Sequence, residues 1–325
     1  MPLPQTNPAE EKWIVRVFQA MGINPDRVKI NQKPIREFAA GQARDKAYIE
    51  EYYQALEEAL ENDEPLTEEL SFGDIAHFGL LVDMANEKEP GLNVKLCADP
   101  DAMGEEVEQM QKSGEENGRF IVNRGGDGMH FAAFDYLVVD GKPSIVGIEP
   151  AIMDPVKGIS GHVLAAKAAR AFKKRGIDVK MTIIEADMQR SPTDCNIFSL
   201  SLVKKMLKDK EEVAKIHAQN TNGELPSQPI EGQDSDSFSY IKHTDSDRYL
   251  TPSMMKHAHS PNRMRTYLKN HEGAAEAKVN KKDETLQQRM ARHIIERKPV
   301  PRPFSNSIEH KRKTEYGNFL GKKKQ

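Results

Sequence analysis

A mixed α/β fold is predicted by three features of the chain. Asp140-Gly141 is a two-residue hairpin turn between two β-rich runs, 130–139 and 142–149. Apolar residues at helical spacing fill the segments before it, and a helix, strand, helix alternation follows over 160–175, 179–185 and the stretch from Cys195. In order, residues 9–20 and 34–61 read as helices, the second long and charged with Ile35, Phe38, Tyr48, Tyr52, Leu56 and Leu60 on its apolar side. A third helix over 67–87 carries Leu70, Ile75, Phe78, Leu81 and Met84. A strand near 93–97, a helix near 101–113 and a strand near 119–123 lead into the hairpin. Between Gln219 and Asp247 the composition turns to Asn, Gly, Ser, Pro and Asp, centred on Gln233-Asp234-Ser235-Asp236-Ser237, which predicts a flexible excursion. The helical pieces over 253–270, 284–297 and 307–320 are too polar for a core of their own and are expected to pack with the N-terminal helices as a second lobe. The expected organisation is an N-terminal helical segment (1–65), an α/β core (66–218), the excursion (219–247) and a basic C-terminal segment (248–325).

Composition narrows the function classes. No apolar run approaches the ~18 residues that span a bilayer. The start, Met1-Pro2-Leu3-Pro4, lacks both a basic-then-apolar signal pattern and a glycine at position 2 for a myristoyl anchor. Two cysteines, Cys97 and Cys195, argue for a reducing compartment, and no metal site is expected. Net charge is −3 but unevenly spread: from Lys256 onward 18 Lys and Arg stand against 7 Asp and Glu (+11), while the preceding residues hold 29 against 43 (−14). Such polarity points to a polyanion partner or to the tail packing on the acidic body; Lys322, Lys323 and Lys324 read as a solvated end.

The chemistry centres on Cys195. Ser191 reads as an N-cap, Pro192 as the first helical residue and Asp194 as the acid of a capping box, which puts Cys195 in the first turn. There the helix dipole and unpaired N–H groups are expected to favour thiolate over thiol. The Asp140-Gly141 turn pairs Ala132 with Glu149 and His130 with Ala151. His130 and Glu149 thus become diagonal neighbours on one sheet face, about 7–8 Å apart at the backbone. A carboxylate that orients an imidazole, and an imidazole that deprotonates a thiol, make a consistent triad. A buried structural cysteine and an ordinary cross-strand contact would give the same residues. Gln189, six residues before the cysteine on the strand-to-helix turn, is a candidate oxyanion donor. The loop Arg124-Gly125-Gly126-Asp127-Gly128 lacks the Lys-Ser/Thr ending of a P-loop and reads as a plain loop.

The order His, acid, Gln, Cys is similar to that of the cysteine proteases that process ubiquitin-like modifiers and adenoviral proteins. A narrower likeness rests on Arg119-Phe120-Ile121-Val122-Asn123, the His130 strand, Asp140-Gly141-Lys142, Glu149-Pro150-Ala151, Asp187-Met188-Gln189-Arg190-Ser191, Cys195-Asn196-Ile197-Phe198-Ser199 and Lys204-Lys205. It continues in Asp247-Arg248-Tyr249-Leu250, Lys256-His257, Val279-Asn280-Lys281-Lys282-Asp283-Glu284-Thr285 and His310-Lys311-Arg312-Lys313-Thr314-Glu315-Tyr316. Over roughly residues 65–322 the chain resembles the YopJ family of bacterial effectors. Asn196 departs from it, since relatives often carry Gly after the cysteine, and a changed acyl pocket is the expected consequence.

The resemblance implies a papain-like cysteine protease core of the ubiquitin-like-protein protease type with a helical regulatory lobe. It implies an acetyltransferase: Cys195, His130 and Glu149, with Gln189, take acetyl from acetyl-coenzyme A (acetyl-CoA) and pass it to Ser, Thr or Lys of host signalling proteins such as MAP kinase kinases. Inositol hexakisphosphate is the implied activator, with Arg119, Lys256, His257, Arg263, His310, Lys311 and Arg312 as candidate ligands and Lys256 as the self-acetylated lysine. Type III secretion and action in the host cytoplasm are implied too, and nucleic acid is not an expected partner. Two other readings of the residues stand beside this one: a cysteine isopeptidase, which shares the triad, and a non-enzymatic binder built on the basic lobe.

Overall fold

The computed structural model describes residues 45–64, 66–124, 130–152, 161–226, 238–297 and 302–322, with a few positions before residue 45. The Gly125–Gly128 loop, the centre of the excursion at 233–237, most of the helix predicted over 9–20, residues 35–44 and the last lysines fall outside the described residues.

Six strands form one sheet in chain order: β1 (Val94–Cys97), β2 (Asn117–Asn123), β3 (Phe131–Val139), β4 (Lys142–Glu149), β5 (Lys180–Glu185) and β6 (Ser239–Ile241). The β2–β3 and β3–β4 pairs are antiparallel, whereas β1–β2, β4–β5 and β5–β6 are parallel. The hairpin takes the predicted register, Val139 opposite Lys142 and Ala133 opposite Ile148. Asp140 (φ 50°) and Gly141 (φ 76°) both occupy the left-handed region that a tight hairpin turn demands.

Side-chain alternation gives the sheet two apolar faces. Val122, Ala132, Phe134, Ile145, Ile183 and Tyr240 lie in one cluster with residues of α4 (Pro100–Ser113) and α5 (Gly161–Arg175). Ile121, Phe131, Ala133, Val146, Ile148 and Ile184 share a second, larger cluster with α6 (Cys195–Lys208) and α7 (Lys210–Asn222). That second cluster extends into α1 (Lys46–Glu61), α2 (Glu68–Ala76), α3 (Phe78–Lys88) and the C-terminal α11 (Ser307–Phe319). Helices α1 and α11 therefore meet. Tyr316 of α11 lies 4.8 Å from Tyr52 of α1, ring to ring, and Lys313 and Lys322 pair with Glu57 and Glu50.

Several predicted elements are redrawn. The helix expected over 34–61 starts at Lys46, where the Asp45 carboxylate caps the Ala47 N–H at 2.9 Å, and its buried stripe adds Ile49 and Tyr53. The helix expected over 67–87 breaks at His77, buried between α2 and α3 against Tyr52 and Tyr316. The excursion expected from 219 begins later and ends earlier. Helix α7 runs to Asn222 and stops at Gly223 (φ 72°), and β6 returns the chain to the sheet because Phe238, Tyr240 and Ile241 are apolar enough to bury. The helix expected over 253–270 is split by Ser260-Pro261 into α8 (Pro252–Met255) and α9 (Pro261–Asn270). The helix expected over 284–297 becomes α10 (Leu286–His293) and then strand β7 (Ile294–Arg297), paired with β8 (Arg302–Ser305).

Candidate active site

His130 stands immediately before β3 and Glu149 closes β4, so the hairpin register brings their side chains together. His130 Nε2 lies 2.6 Å from Glu149 Oε2, and both residues are buried. A carboxylate only accepts, so Nε2 carries the proton and Nδ1 is left as the basic nitrogen. Glu149 Oε1 accepts the Ala151 N–H at 2.9 Å, which fixes the carboxylate. Cys195 is the first residue of α6, and its sulfur accepts from the backbone N–H groups of Phe131, next to His130, and Asn196. The expectation of a ready thiolate is corrected here. Burial, with the Glu149 and Asp194 carboxylates, pushes the thiol up to about 12 against the pull of the N–H groups. The sulfur is a protonated thiol that needs a base.

The helix start also differs from the predicted cap. Asp194, not Ser191, is the N-cap, and its side chain makes no capping bond. It turns instead to Arg312 Nη2 at 2.7 Å and accepts from the Ser191 hydroxyl, because a buried guanidinium attracts a carboxylate more strongly than helix N–H groups do. Burial raises the Asp194 carboxyl, but Arg312, His259 and Ser191 outweigh it and hold the group below its ordinary value. Asn196 is buried, its amide donating to Asp74 and its own Oδ1 accepting the Ile197 N–H at 2.8 Å. Asp74 also meets Arg312 Nε at 3.2 Å and the Tyr316 hydroxyl at 2.8 Å. A buried network from α2 and α11 thus clamps the start of α6. Gln189 lies in the turn as predicted, with one amide hydrogen donated to the Ser191 carbonyl at 2.6 Å.

The candidate anion ligands divide into two groups. Arg119, Arg263 and Arg312 are buried and committed to protein acceptors: Arg119 to Asp135 at 2.8 Å, Arg263 to Asp247 and the Ala186 carbonyl, Arg312 as above. None of the three therefore presents an exposed guanidinium to a polyanion, each being buried and ion-paired with a protein carboxylate. Arg119 belongs to a buried chain under the sheet, in which Asp135 lies 3.0 Å from His217 Nε2 and His217 Nδ1 2.8 Å from the Ser144 hydroxyl. His257 is buried too, with Nδ1 2.8 Å from the Ser307 hydroxyl. Lys256 and Lys311 instead meet Lys205 and Arg289. Burial, then Lys205, Lys311 and Arg289, push the Lys256 amine down to about 6. Glu315 accepts from Lys311 and, at 3.1 Å, from Lys204, which leaves this side-chain cluster cationic overall. His310 lies 5.0 Å from His293, the two rings tilted at 53°, near Arg289, Arg292 and Lys313, and burial and those cations push it below its ordinary value.

Asp194, His259 and Glu309 bring one ligand atom each within 4.8 Å. His259 Nδ1 accepts the Arg190 N–H at 2.9 Å, so the neutral ring has its proton on Nε2, 3.6 Å from Asp194. Nε2 then carries a proton rather than a free lone pair, so the trio does not read as a metal cage.

A model of the YopJ serine/threonine acetyltransferase family matches residues 46–318. The chain belongs to this family. YopJ of Yersinia pestis is 31% identical over 250 residues, covering 76% of this chain and 81% of the relative, and YopJ of Yersinia pseudotuberculosis matches to the same extent. A solved AvrA deletion variant with IP6 and CoA superposes at a TM-score of 0.74 with 28% identity, over 85% of this chain and 98% of its own. HopZ1a in complex with IP6 shares the fold at a TM-score of 0.69 and 18% identity, over 96% and 97% of the two chains. The papain-like expectation holds in the arrangement itself, a cysteine at a helix start against a sheet that carries the histidine and acid. As a YopJ-family member the chain is a protein acetyltransferase, which sets aside the isopeptidase and binder readings. Sequence reasoning missed Asp74, Asp194 as cap, Lys205 and Arg289. Lys205 stands in the Lys204-Lys205 motif and Asp194 in the cap signal that begins at Ser191, whereas Asp74 and Arg289 carry no local signal. No helix of the described residues is long and apolar enough to cross a membrane.

Proposed function

We propose that this acetyltransferase works by ping-pong transfer through Cys195, His130 and Glu149. The buried 2.6 Å bond between His130 and Glu149, beside the thiol, carries the reading. His130 Nδ1 takes the Cys195 proton as the sulfur attacks the thioester carbonyl of acetyl-CoA. Coenzyme A leaves with that proton, and acetyl remains on sulfur. His130 then takes the proton of an incoming Ser, Thr or Lys side chain, which attacks the acetyl carbon and returns Cys195 as thiol. The Cys195 N–H, at the helix start without an intrahelical acceptor, and the second amide hydrogen of Gln189 would hold the oxyanion. Glu149 stabilises the imidazolium that forms within each half-reaction.

The acceptors in this reading are host signalling proteins, MAP kinase kinases among them, reached after type III secretion into the host cytoplasm. Inositol hexakisphosphate is the activator, held by Lys256, Lys311, Lys205 and Arg289 with His310 at the rim. The cations Lys205, Lys311 and Arg289 around the Lys256 amine repel one another and disfavour its charge, and a polyanion reverses that cost. A near-neutral Lys256 amine is also the form that accepts acetyl, which supports self-acetylation there. The test is mass spectrometry of the protein after incubation with acetyl-CoA, with and without inositol hexakisphosphate. Acetyl on Cys195 or Lys256 that depends on the polyanion is the expected result; a Cys195→Ala protein that still labels refutes the mechanism.

A further inference from the structure

Glu185 is a fully buried carboxylate that the steps above leave unused. It ends β5, where the parallel register sets it opposite Glu149 on β4. Register partners project to the same face from backbones about 4.8 Å apart, so two ionised carboxylates placed there repel each other. Each has its own imidazole. Glu149 has His130 at 2.6 Å, and Glu185 has His243, which meets it through Nδ1 and donates its backbone N–H at 3.2 Å. Tyr240 of β6 donates to the other Glu185 oxygen at 2.6 Å. The charged groups facing His243 are Glu185 on β5, Asp187 in the turn beyond it and Arg263 on α9. The Glu185 bond outweighs burial there and raises the His243 imidazole above its ordinary value. The His243 side chain is 27% exposed while Glu185 is 0% exposed, so the imidazole reaches solvent and its counter-charge lies inside.

We propose that Glu185 and His243 are positioning residues for acetyl transfer, a second carboxylate and imidazole pair one strand from Glu149 that neutralises the charge beside it and so sets the proton affinity of His130. This rests on the reading of His130 as the base. With His243 protonated, Glu185 contributes no net charge next to Glu149. Without that cation an unpaired anion stands beside the His130–Glu149 pair, favours the imidazolium and delays its service as a base until higher pH.

The test is the pH profile of coenzyme A release from acetyl-CoA by the full chain in the presence of inositol hexakisphosphate. His243→Gln, at a partly exposed position, is expected to move the midpoint of the acid limb of kcat/KM upward by about one pH unit, the effect of one added charge at this range. Adding Glu185→Gln, an isosteric change, removes the unpaired anion and returns the midpoint to the wild-type value or below. A purely structural role would lower the rate without moving the midpoint, and a second core substitution would not restore it. A His243→Gln midpoint equal to wild type, or an upward shift that survives in the double variant, overturns the proposal. If His130→Ala keeps the activity and its acid limb, the base assignment itself fails and this proposal with it.

Discussion

Arg312→Met is the perturbation with the largest consequence for how the cysteine is held. In the native protein the Arg312 guanidinium, fully buried, meets Asp74 at 3.2 Å, Asp194 at 2.7 Å and the Thr193 carbonyl at 3.1 Å. Burial disfavours its charge, but Asp74 and Asp194 outweigh that and hold it above its ordinary value. Methionine fills similar space but leaves two carboxylates in the interior without their cation. Removing one partner of a buried pair costs about 3–5 kcal/mol, a fifth or more of the stability of a typical domain. With a urea slope of about 3 kcal/mol per molar for a chain of this size, the midpoint falls by about 1–1.7 M. The assay is urea unfolding at pH 7 followed by far-ultraviolet circular dichroism. Adding Asp74→Asn and Asp194→Asn to Arg312→Met should recover much of the loss, because a neutral interior replaces unpaired charge. In buffer without urea the variant should keep its affinity for inositol hexakisphosphate by calorimetry. A midpoint shift below about 0.3 M together with a tenfold or greater loss of that affinity would refute this account and return Arg312 to the ligand set.

Two further outcomes follow from the cationic cluster around Lys256. Lys256, pushed down to about 6, destabilises the fold wherever its unfolded counterpart is protonated: fully below pH 6, fading as pH rises to the ordinary lysine value of 10.5. Lys256→Met should therefore raise Tm at pH 7 by about 2–4 °C without inositol hexakisphosphate, lose that advantage near pH 10.5, and gain less Tm than wild type from the polyanion; a variant that melts lower at pH 7 contradicts this. Burial raises the Glu315 carboxyl, but Lys311 and Lys204 outweigh it and bring it down to about 2. Its contribution is complete above the ordinary value of 4.5 and is lost as pH falls towards 2. Glu315→Gln should thus lower Tm at pH 7 and match wild type near pH 2, and equal melting at pH 7 would count against it.

The hairpin that joins His130 to Glu149 was legible because its information is local. An Asp-Gly turn has few backbone solutions, and once it is set the pairing of every residue on both arms, His130 and Glu149 included, follows from counting. The breaks at His77 and Ser260-Pro261 were less legible, since apolar spacing continues across them. The cap of α6 was misread for a different reason. Ser191, Pro192 and Asp194 form a good local signal, yet the Asp194 carboxylate is claimed by Arg312, which is far away in the chain.

The sequence by itself determined the fold class, the register that joins His130 to Glu149, the helix that delivers Cys195 and the family whose motifs the chain carries. All of these depend on residues near one another in the chain or on their order along it. Only the tertiary structure decided which charges are spent and which remain. Arg119, Arg263 and Arg312 look like Lys256 and Lys311 in a sequence, but packing buries the first three against carboxylates and gathers the other two with Lys205 and Arg289. It also set the Cys195 thiol near 12 rather than below its ordinary value, since burial and neighbouring carboxylates outweigh the helix start. Desolvation and Coulomb energy depend on what surrounds a group in space, and that is settled only when distant segments pack.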